Sequence, residues 1–113
     1  MIKIYHNPRC SKSREGLKML EESGKDFQVV KYLDTPLSTS EIKEILELLH
    51  ISAEELVRKN EKIWKENYKG KSLSEDEIIT AMQENPKLIE RPIVVNNKEA
   101  VIGRPSENIQ KII

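Results

Sequence analysis

Cysteine is nearly absent from this chain of 113 residues, which contains one, at position 10. A single cysteine excludes an internal disulfide and favours a reducing compartment. Lysine and arginine together number 19, as do aspartate and glutamate, and this balance disfavours general electrostatic binding to nucleic acid. The chain also lacks an apolar run long enough to cross a bilayer and the apolar segment of a signal peptide. We therefore expect a cytoplasmic protein without a nucleic-acid or membrane partner.

Length and composition are those of one globular domain spanning residues 1–113. Hydrophobic residues make up 37% of the chain and charged residues 34%, which is typical of a soluble domain. Apolar runs predict strands over residues 2–6, 27–33, 93–95 and 100–102. The order strand–helix–strand, helical insertion, strand–strand–helix predicts an α/β, thioredoxin-like (glutaredoxin-like) fold, with a mixed four-stranded sheet and an inserted helical region.

Helix boundaries are marked by capping residues. A serine followed three residues later by glutamate is a capping box, and it recurs at three places before apolar helical patterns. The first predicted helix covers residues 11–23 and is ended by Gly24, and Pro105 suits the first turn of a closing helix. Asn96-Asn97 predicts the turn between the last two strands. The capping pairs are Ser38 and Glu41, Ser52 and Glu55, and Ser74 and Glu77.

Cys10 lies where the first predicted strand gives way to the first helix. Backbone N–H groups and the positive end of the helix dipole favour the thiolate there, and the thiolate is the reactive form of cysteine. A lone cysteine is often a small buried hydrophobe, but the neighbours Arg9, Ser11 and Lys12 are poor companions for a buried apolar side chain. We therefore expect a reactive thiol whose pKa lies below its ordinary value.

The sequence argues against three kinds of thiol site. A dithiol redox site needs Cys-x-x-Cys, and the fourth position is Ser13. A phosphatase-type loop needs Cys-x5-Arg, and that arginine position is occupied by Gly16. A papain-like site needs a histidine base, and His50 lies at a predicted helix end without a supporting pattern. What remains is a monothiol nucleophile, whose adduct or disulfide must be resolved by an external thiol.

Polar residues flank the thiol on both sides. Ser11, Lys12 and Ser13 offer donors at the helix N-terminus, suited to binding a tetrahedral oxyanion or to stabilising the thiolate itself. His6 has two interpretations: a hydrogen-bond or charge partner that lowers the thiol pKa, or a solvated histidine near a strand end.

Five blocks of sequence, spread in order from end to end, share a pattern with known enzymes. They cover residues 4–14, 32–36, 55–60, 85–95 and 102–107, and the first reads Ile4-Tyr5-His6-Asn7-Pro8-Arg9-Cys10-Ser11-Lys12-Ser13-Arg14. Together these blocks resemble the glutaredoxin-coupled arsenate reductases of the ArsC family, above all its short, YfgD-like members. Several separate blocks that agree are far more specific than any one of them.

The resemblance implies a role for each matching residue. Cys10 would be the nucleophile that attacks arsenate, and His6 would help to hold it as a thiolate. The three arginines of the family would bind the oxyanion and its covalent adduct, a task to which planar, permanently charged guanidinium groups are suited. They correspond to Arg58, Arg91 and Arg104.

A covalent reaction follows from the same resemblance. The thiolate attacks arsenate with loss of water, glutathione attacks the adduct, and arsenite leaves. A mixed disulfide between Cys10 and glutathione then remains for glutaredoxin to reduce. Glutathione is thus a co-substrate, no metal or bound cofactor is expected, and the protein is expected to be a monomer that serves arsenic resistance.

Other interpretations remain open at this point. Pro92 matches the family's cis-proline beside the cysteine, so we expect a cis Arg91–Pro92 bond, whereas Arg58 also fits a solvated helix face. An Spx-like transcriptional regulator that binds RNA polymerase shares the fold, but such regulators carry Cys-x-x-Cys, and Ser13 replaces the second cysteine here. A general monothiol oxidoreductase that acts with glutathione is a second alternative.

Overall fold

A computed structural model describes residues 1–113 and contains one mixed four-stranded sheet. The strands lie in the order β2-β1-β3-β4. β1 pairs in parallel with β2 and antiparallel with β3, and β3 pairs antiparallel with β4. This topology confirms the predicted thioredoxin-like sheet. The strands are β1 (Ile2–Tyr5), β2 (Phe27–Val30), β3 (Ile93–Asn96) and β4 (Glu99–Ile102).

Six α-helices and one short 3₁₀ helix, Pro86–Leu88, accompany the sheet. None of the helices is both long enough and apolar enough to cross a membrane. The α-helices are α1 (Ser11–Ser23), α2 (Thr39–Leu49), α3 (Ala53–Leu56), α4 (Lys62–Asn67), α5 (Glu75–Glu84) and α6 (Glu107–Gln110).

The chain forms two compact units, of which the first comprises Met1–Asp34 and Arg91–Ile113. It holds the whole sheet together with α1 and α6. Alternate residues of a strand point to the same face, and the core of this unit consists of side chains from that face and from the two helices. Burial of each such side chain contributes about 1.5–3 kcal/mol. The core residues are Ile2, Ile4, Leu20, Val94 and Ile109.

The second unit, Thr35–Glu90, is the helical region that the sequence predicts between the two halves of the sheet. Two of its helices begin at reciprocal capping boxes, because the hydroxyls of Ser38 and Ser74 accept the N–H groups of Glu41 and Glu77 at 3.1 and 3.2 Å. Ser52 precedes α3 and donates its N–H to Glu55 at 2.8 Å. The three predicted helix starts are therefore confirmed.

Several element boundaries differ from their predictions. β1 ends at Tyr5, one residue before its predicted end, and β3 and β4 each extend one residue further toward the turn between them. β2 ends at Val30 rather than Leu33, because a turn closed by the Asp34 N–H and the Lys31 carbonyl (3.1 Å) follows the strand. The apolar run continues there for another reason, since Tyr32 is only 1% exposed.

The closing helix begins later than predicted. α6 starts at Glu107, and Pro105 lies in the preceding turn, where its carbonyl accepts the Asn108 N–H at 3.1 Å. A hydrogen bond between residues three apart is typical of a tight turn, whereas an α-helix joins residues four apart.

The turn between β3 and β4 lies one residue later than predicted. It is formed by Asn97-Lys98, and Asn97 has φ 57°.

Candidate active site

Cys10 is the N-cap of α1, as the sequence predicts. Its backbone is extended (φ −96°, ψ 124°), and its carbonyl accepts the Arg14 N–H at 3.0 Å, the first bond of the helix. The Cys10 N–H donates to the Asn7 carbonyl at 3.1 Å, which closes the turn before the helix. Cys10 is half-buried, so part of the residue is open to solvent.

The surroundings of the thiol favour its ionised form. Burial alone raises the pKa of Cys10, but the Ser13 N–H, the Arg91 side chain and the Lys12 N–H lower it, as does the positive charge of Arg91. The net pKa of Cys10 lies below its ordinary value. The direction of this pKa shift agrees with the expectation from sequence. One of its causes, Arg91, lies far from Cys10 in the sequence.

Ser13 is fully buried and connects the turn to the helix. Its Oγ lies 2.7 Å from His6 Nδ1 and accepts the Asn7 N–H at 2.9 Å. The Asn7 side chain in turn accepts the Arg9 N–H at 3.0 Å. Buried polar groups are costly unless they are paired, so this network fixes the loop that presents Cys10.

His6 is buried and bonds to Ser13. Burial, together with the positive charges of Lys31 and Arg14, lowers the pKa of His6 below its ordinary value, and bonding with Ser13 only partly opposes this. The lowered pKa favours the neutral form of the imidazole. In this arrangement His6 connects to the thiol through Ser13, as a hydrogen-bond partner rather than as a charge.

Arg91 and Arg104 lie on two neighbouring segments of the first unit. Arg104 Nη1 donates to the Arg91 carbonyl at 3.5 Å, and the Gly103 N–H donates to the Pro92 carbonyl at 2.8 Å. The Arg91–Pro92 bond is cis, as predicted, and so is Arg104–Pro105, which the sequence-based interpretation missed. The thiol therefore lies beside helical N–H donors and the Arg91 side chain, with Arg104 on the neighbouring segment. Donors of this kind are suited to an anion.

Comparison with known proteins identifies the family of the chain. The sequence matches the profile of the ArsC family over residues 5–112. The chain belongs to the ArsC family. It is 52% identical to YfgD of Escherichia coli strain K12, over 99% of this chain and 96% of that protein. It is also 46% identical to an arsenate reductase of Neisseria meningitidis, over 99% of this chain and 97% of the relative.

Solved structures of the ArsC family have the same fold. An arsenate reductase from Vibrio cholerae superposes with a TM-score of 0.95 at 47% identity, covering 99% of this chain and 97% of the other. The thioredoxin-like architecture with an inserted helical region is therefore confirmed by its relatives as well as by its topology.

The structure also places the other residues that the sequence indicates for the site. Ser11 and Lys12 occupy the first turn of α1 with exposed side chains, and Lys12 pairs with Glu15 at 3.7 Å. Only the backbone of Lys12 takes part in stabilising the thiolate. Pro92 is buried next to Arg91.

Arg58 lies in the second unit and is not part of a helix. α3 ends at Leu56, so the solvated-helix interpretation is wrong. The Arg58 N–H donates to the Leu88 carbonyl at 2.6 Å, and its guanidinium pairs with Glu90 at 3.1 Å and Glu61 at 3.7 Å. Its side chain is 23% exposed.

Asn7 is a site residue whose role the sequence analysis did not assign. It is buried and bonds through its N–H, its carbonyl and its side-chain oxygen. An asparagine before a proline is typical of a turn in which the side chain bonds the backbone two residues on, so the Asn7-Pro8 pair carried a signal for this role.

Proposed function

We propose that this protein is an arsenate reductase in which Cys10 is the nucleophile. The observation that carries the proposal is the environment of the thiol, which is half-buried at a helix N-terminus where Arg91 and two backbone N–H groups favour the thiolate. Relatives from N. meningitidis and V. cholerae that align over nearly the whole chain bear the name arsenate reductase.

The first step forms a bond between sulfur and arsenic. The Cys10 thiolate attacks arsenic(V), and one oxygen leaves as water after protonation. A thiolate and an arsenate anion repel each other, so the step needs positive charge at the site. Arg91 and Arg104 supply that charge, and the N–H groups at the start of α1 add fixed dipoles.

The second step needs a thiol from outside, because the chain has no second cysteine. The glutathione sulfur bonds to Cys10 Sγ, the sulfur–arsenic bond breaks, and its electron pair stays on arsenic. Arsenic(V) is thereby reduced to arsenite, and the two sulfurs are oxidised to a mixed disulfide. Glutaredoxin then reduces that disulfide. In this scheme glutathione is consumed as a co-substrate, and no bound metal or cofactor takes part.

Two residues have roles that extend this scheme. His6 acts as a positioning residue, because its bond to Ser13 fixes the loop that presents the thiol. Arg58 is assigned to the covalent adduct by its match to the family pattern alone. Arg58→Lys keeps the charge but loses the planar fork, and we expect it to lower kcat more than it raises KM for arsenate.

A coupled assay tests the proposal. Purified protein is mixed with arsenate, glutathione, glutaredoxin, glutathione reductase and NADPH, and absorbance at the NADPH band is followed. We expect NADPH oxidation that requires arsenate and is abolished by Cys10→Ser but retained by Lys18→Ala, at an exposed position of α1. Oxidation that proceeds equally without arsenate would instead indicate a general monothiol oxidoreductase. Complete inactivity together with capture of RNA polymerase would favour the Spx-like regulator. Size-exclusion chromatography of the same preparation tests whether the protein is the expected monomer.

A further inference from the structure

Asn108, on the C-terminal helix α6, bonds to the turn that carries Arg104. Its half-buried Nδ2 lies 3.2 Å from the Ile102 carbonyl and 3.4 Å from the Arg104 carbonyl. A primary amide has two N–H donors, so one side chain can satisfy both carbonyls. The two carbonyls belong to the residues before and after Gly103, so Asn108 bonds the backbone of this turn on both sides of the glycine.

The turn at Gly103 is joined to the Arg91–Pro92 segment by two hydrogen bonds. The Gly103 N–H donates to the Pro92 carbonyl at 2.8 Å, and Arg104 Nη1 donates to the Arg91 carbonyl at 3.5 Å. Arg91 in turn contacts the Cys10 thiol and favours its thiolate. A continuous series of polar contacts thus runs from α6 through both arginines to the nucleophile.

The next residue on α6 holds the helix in place by a separate means. Ile109 is fully buried, and a Cβ added at Gly103 would lie only 3.0 Å from Ile109 Cδ1 and from Pro92 Cγ. The helix therefore packs closely against the turn through apolar contacts that do not involve Asn108. Because this packing persists, removal of the amide perturbs the turn without releasing the helix.

We propose that Asn108 is a positioning residue that orients Arg104, and through it Arg91, toward the anion that Cys10 attacks. The inference rests on the proposed function of the two arginines as anion ligands. Asn108 touches neither the thiol nor the anion and acts only through the turn.

Alkylation of Cys10 by two reagents of different charge tests this role without arsenate. Iodoacetate carries a carboxylate and iodoacetamide is neutral, so the ratio of their rates measures how strongly the site attracts an anion next to the sulfur. Asn108→Leu keeps the approximate shape but removes both donors, and Asn108→Ala removes the side chain. Gln110→Ala, at an exposed position of the same helix, is the matched control.

We expect both Asn108 variants to lower the iodoacetate-to-iodoacetamide ratio about threefold to fivefold, the effect of losing about one hydrogen bond, while Gln110→Ala leaves it unchanged. The KM for arsenate should rise by a similar factor with a smaller change in kcat. The proposal is overturned if both folded variants retain the wild-type ratio. If Asn108→Leu does not fold, the smaller Asn108→Ala change decides. A lowered ratio in a protein that fails to reduce arsenate would refute the proposed function and leave the role of Asn108 intact.

Discussion

Replacement of Ser13 by alanine tests whether the buried network behind Cys10 holds the active-site loop. The Ser13 hydroxyl is the acceptor for the Asn7 N–H at 2.9 Å and the partner of His6 Nδ1 at 2.7 Å. His6 and Asn7 are only 4% and 7% exposed, and Ser13 itself is fully buried. Water therefore cannot readily replace the hydroxyl after the substitution.

The size of the effect follows from these two contacts. Each buried polar group left without its partner costs about 1–3 kcal/mol. Ser13→Ala leaves two such groups, the Asn7 N–H and His6 Nδ1, without their hydroxyl partner. Alanine is a better helix former than serine by about 0.5 kcal/mol, which offsets a small part. We expect Ser13→Ala to lower the free energy of unfolding by about 1.5–5.5 kcal/mol, a large share of the stability of a small domain.

Urea denaturation followed by circular dichroism measures this change. Ser11→Ala is the matched control, because Ser11 lies on the same helical turn with an exposed side chain, and it should change the free energy by no more than about 0.5 kcal/mol. If Ser13→Ala proves as stable as Ser11→Ala, the network does not hold the loop and the reasoning fails.

Three further predictions concern charge and backbone conformation. Because burial and the charge of Lys31 lower the pKa of His6, the folded state binds that proton less readily than the unfolded chain. Stability should therefore fall as the pH drops through about 6.5, and His6→Gln should flatten this slope in urea titrations. Arg91→Gln should raise the pKa of Cys10, measured by the pH dependence of iodoacetamide alkylation, and an unchanged profile would contradict the role of Arg91. Gly24→Ala should lower the free energy of unfolding, measured by urea denaturation, by about 1–2 kcal/mol. The cause is backbone strain at φ 73° and not a clash, since nothing lies within 4 Å of an added Cβ.

Local sequence predicted the fold well where a single residue sets the boundary of an element. Helix α1 begins and ends at its predicted residues, because Cys10 precedes an uninterrupted helical pattern and Gly24 supplies the left-handed C-cap. The predicted end of β2 was wrong for a tertiary reason. The run past Val30 is apolar because Tyr32 is buried, not because the strand continues.

The candidate site was only partly predictable. Cys10 and its helix N-terminus follow from local sequence, whereas its contact with Arg91 depends on how β3 aligns beside β1. The bond between His6 and Ser13 spans a turn whose path the sequence does not specify, so charge pairing and hydrogen bonding could not be told apart beforehand. Asn108 gave no sequence signal at all, since its role depends on two carbonyls brought to it by the turn after β4.

The most direct test of the central claim, that Cys10 attacks arsenate and is then resolved by glutathione, is the intact mass of the protein after a single turnover. Reduced protein is mixed with arsenate and glutathione without glutaredoxin, quenched in acid and weighed by mass spectrometry. We expect one glutathione joined to Cys10 by a disulfide, formed only when arsenate is present and absent from Cys10→Ser. A protein that stays unmodified, or that gains the same adduct without arsenate, would contradict it.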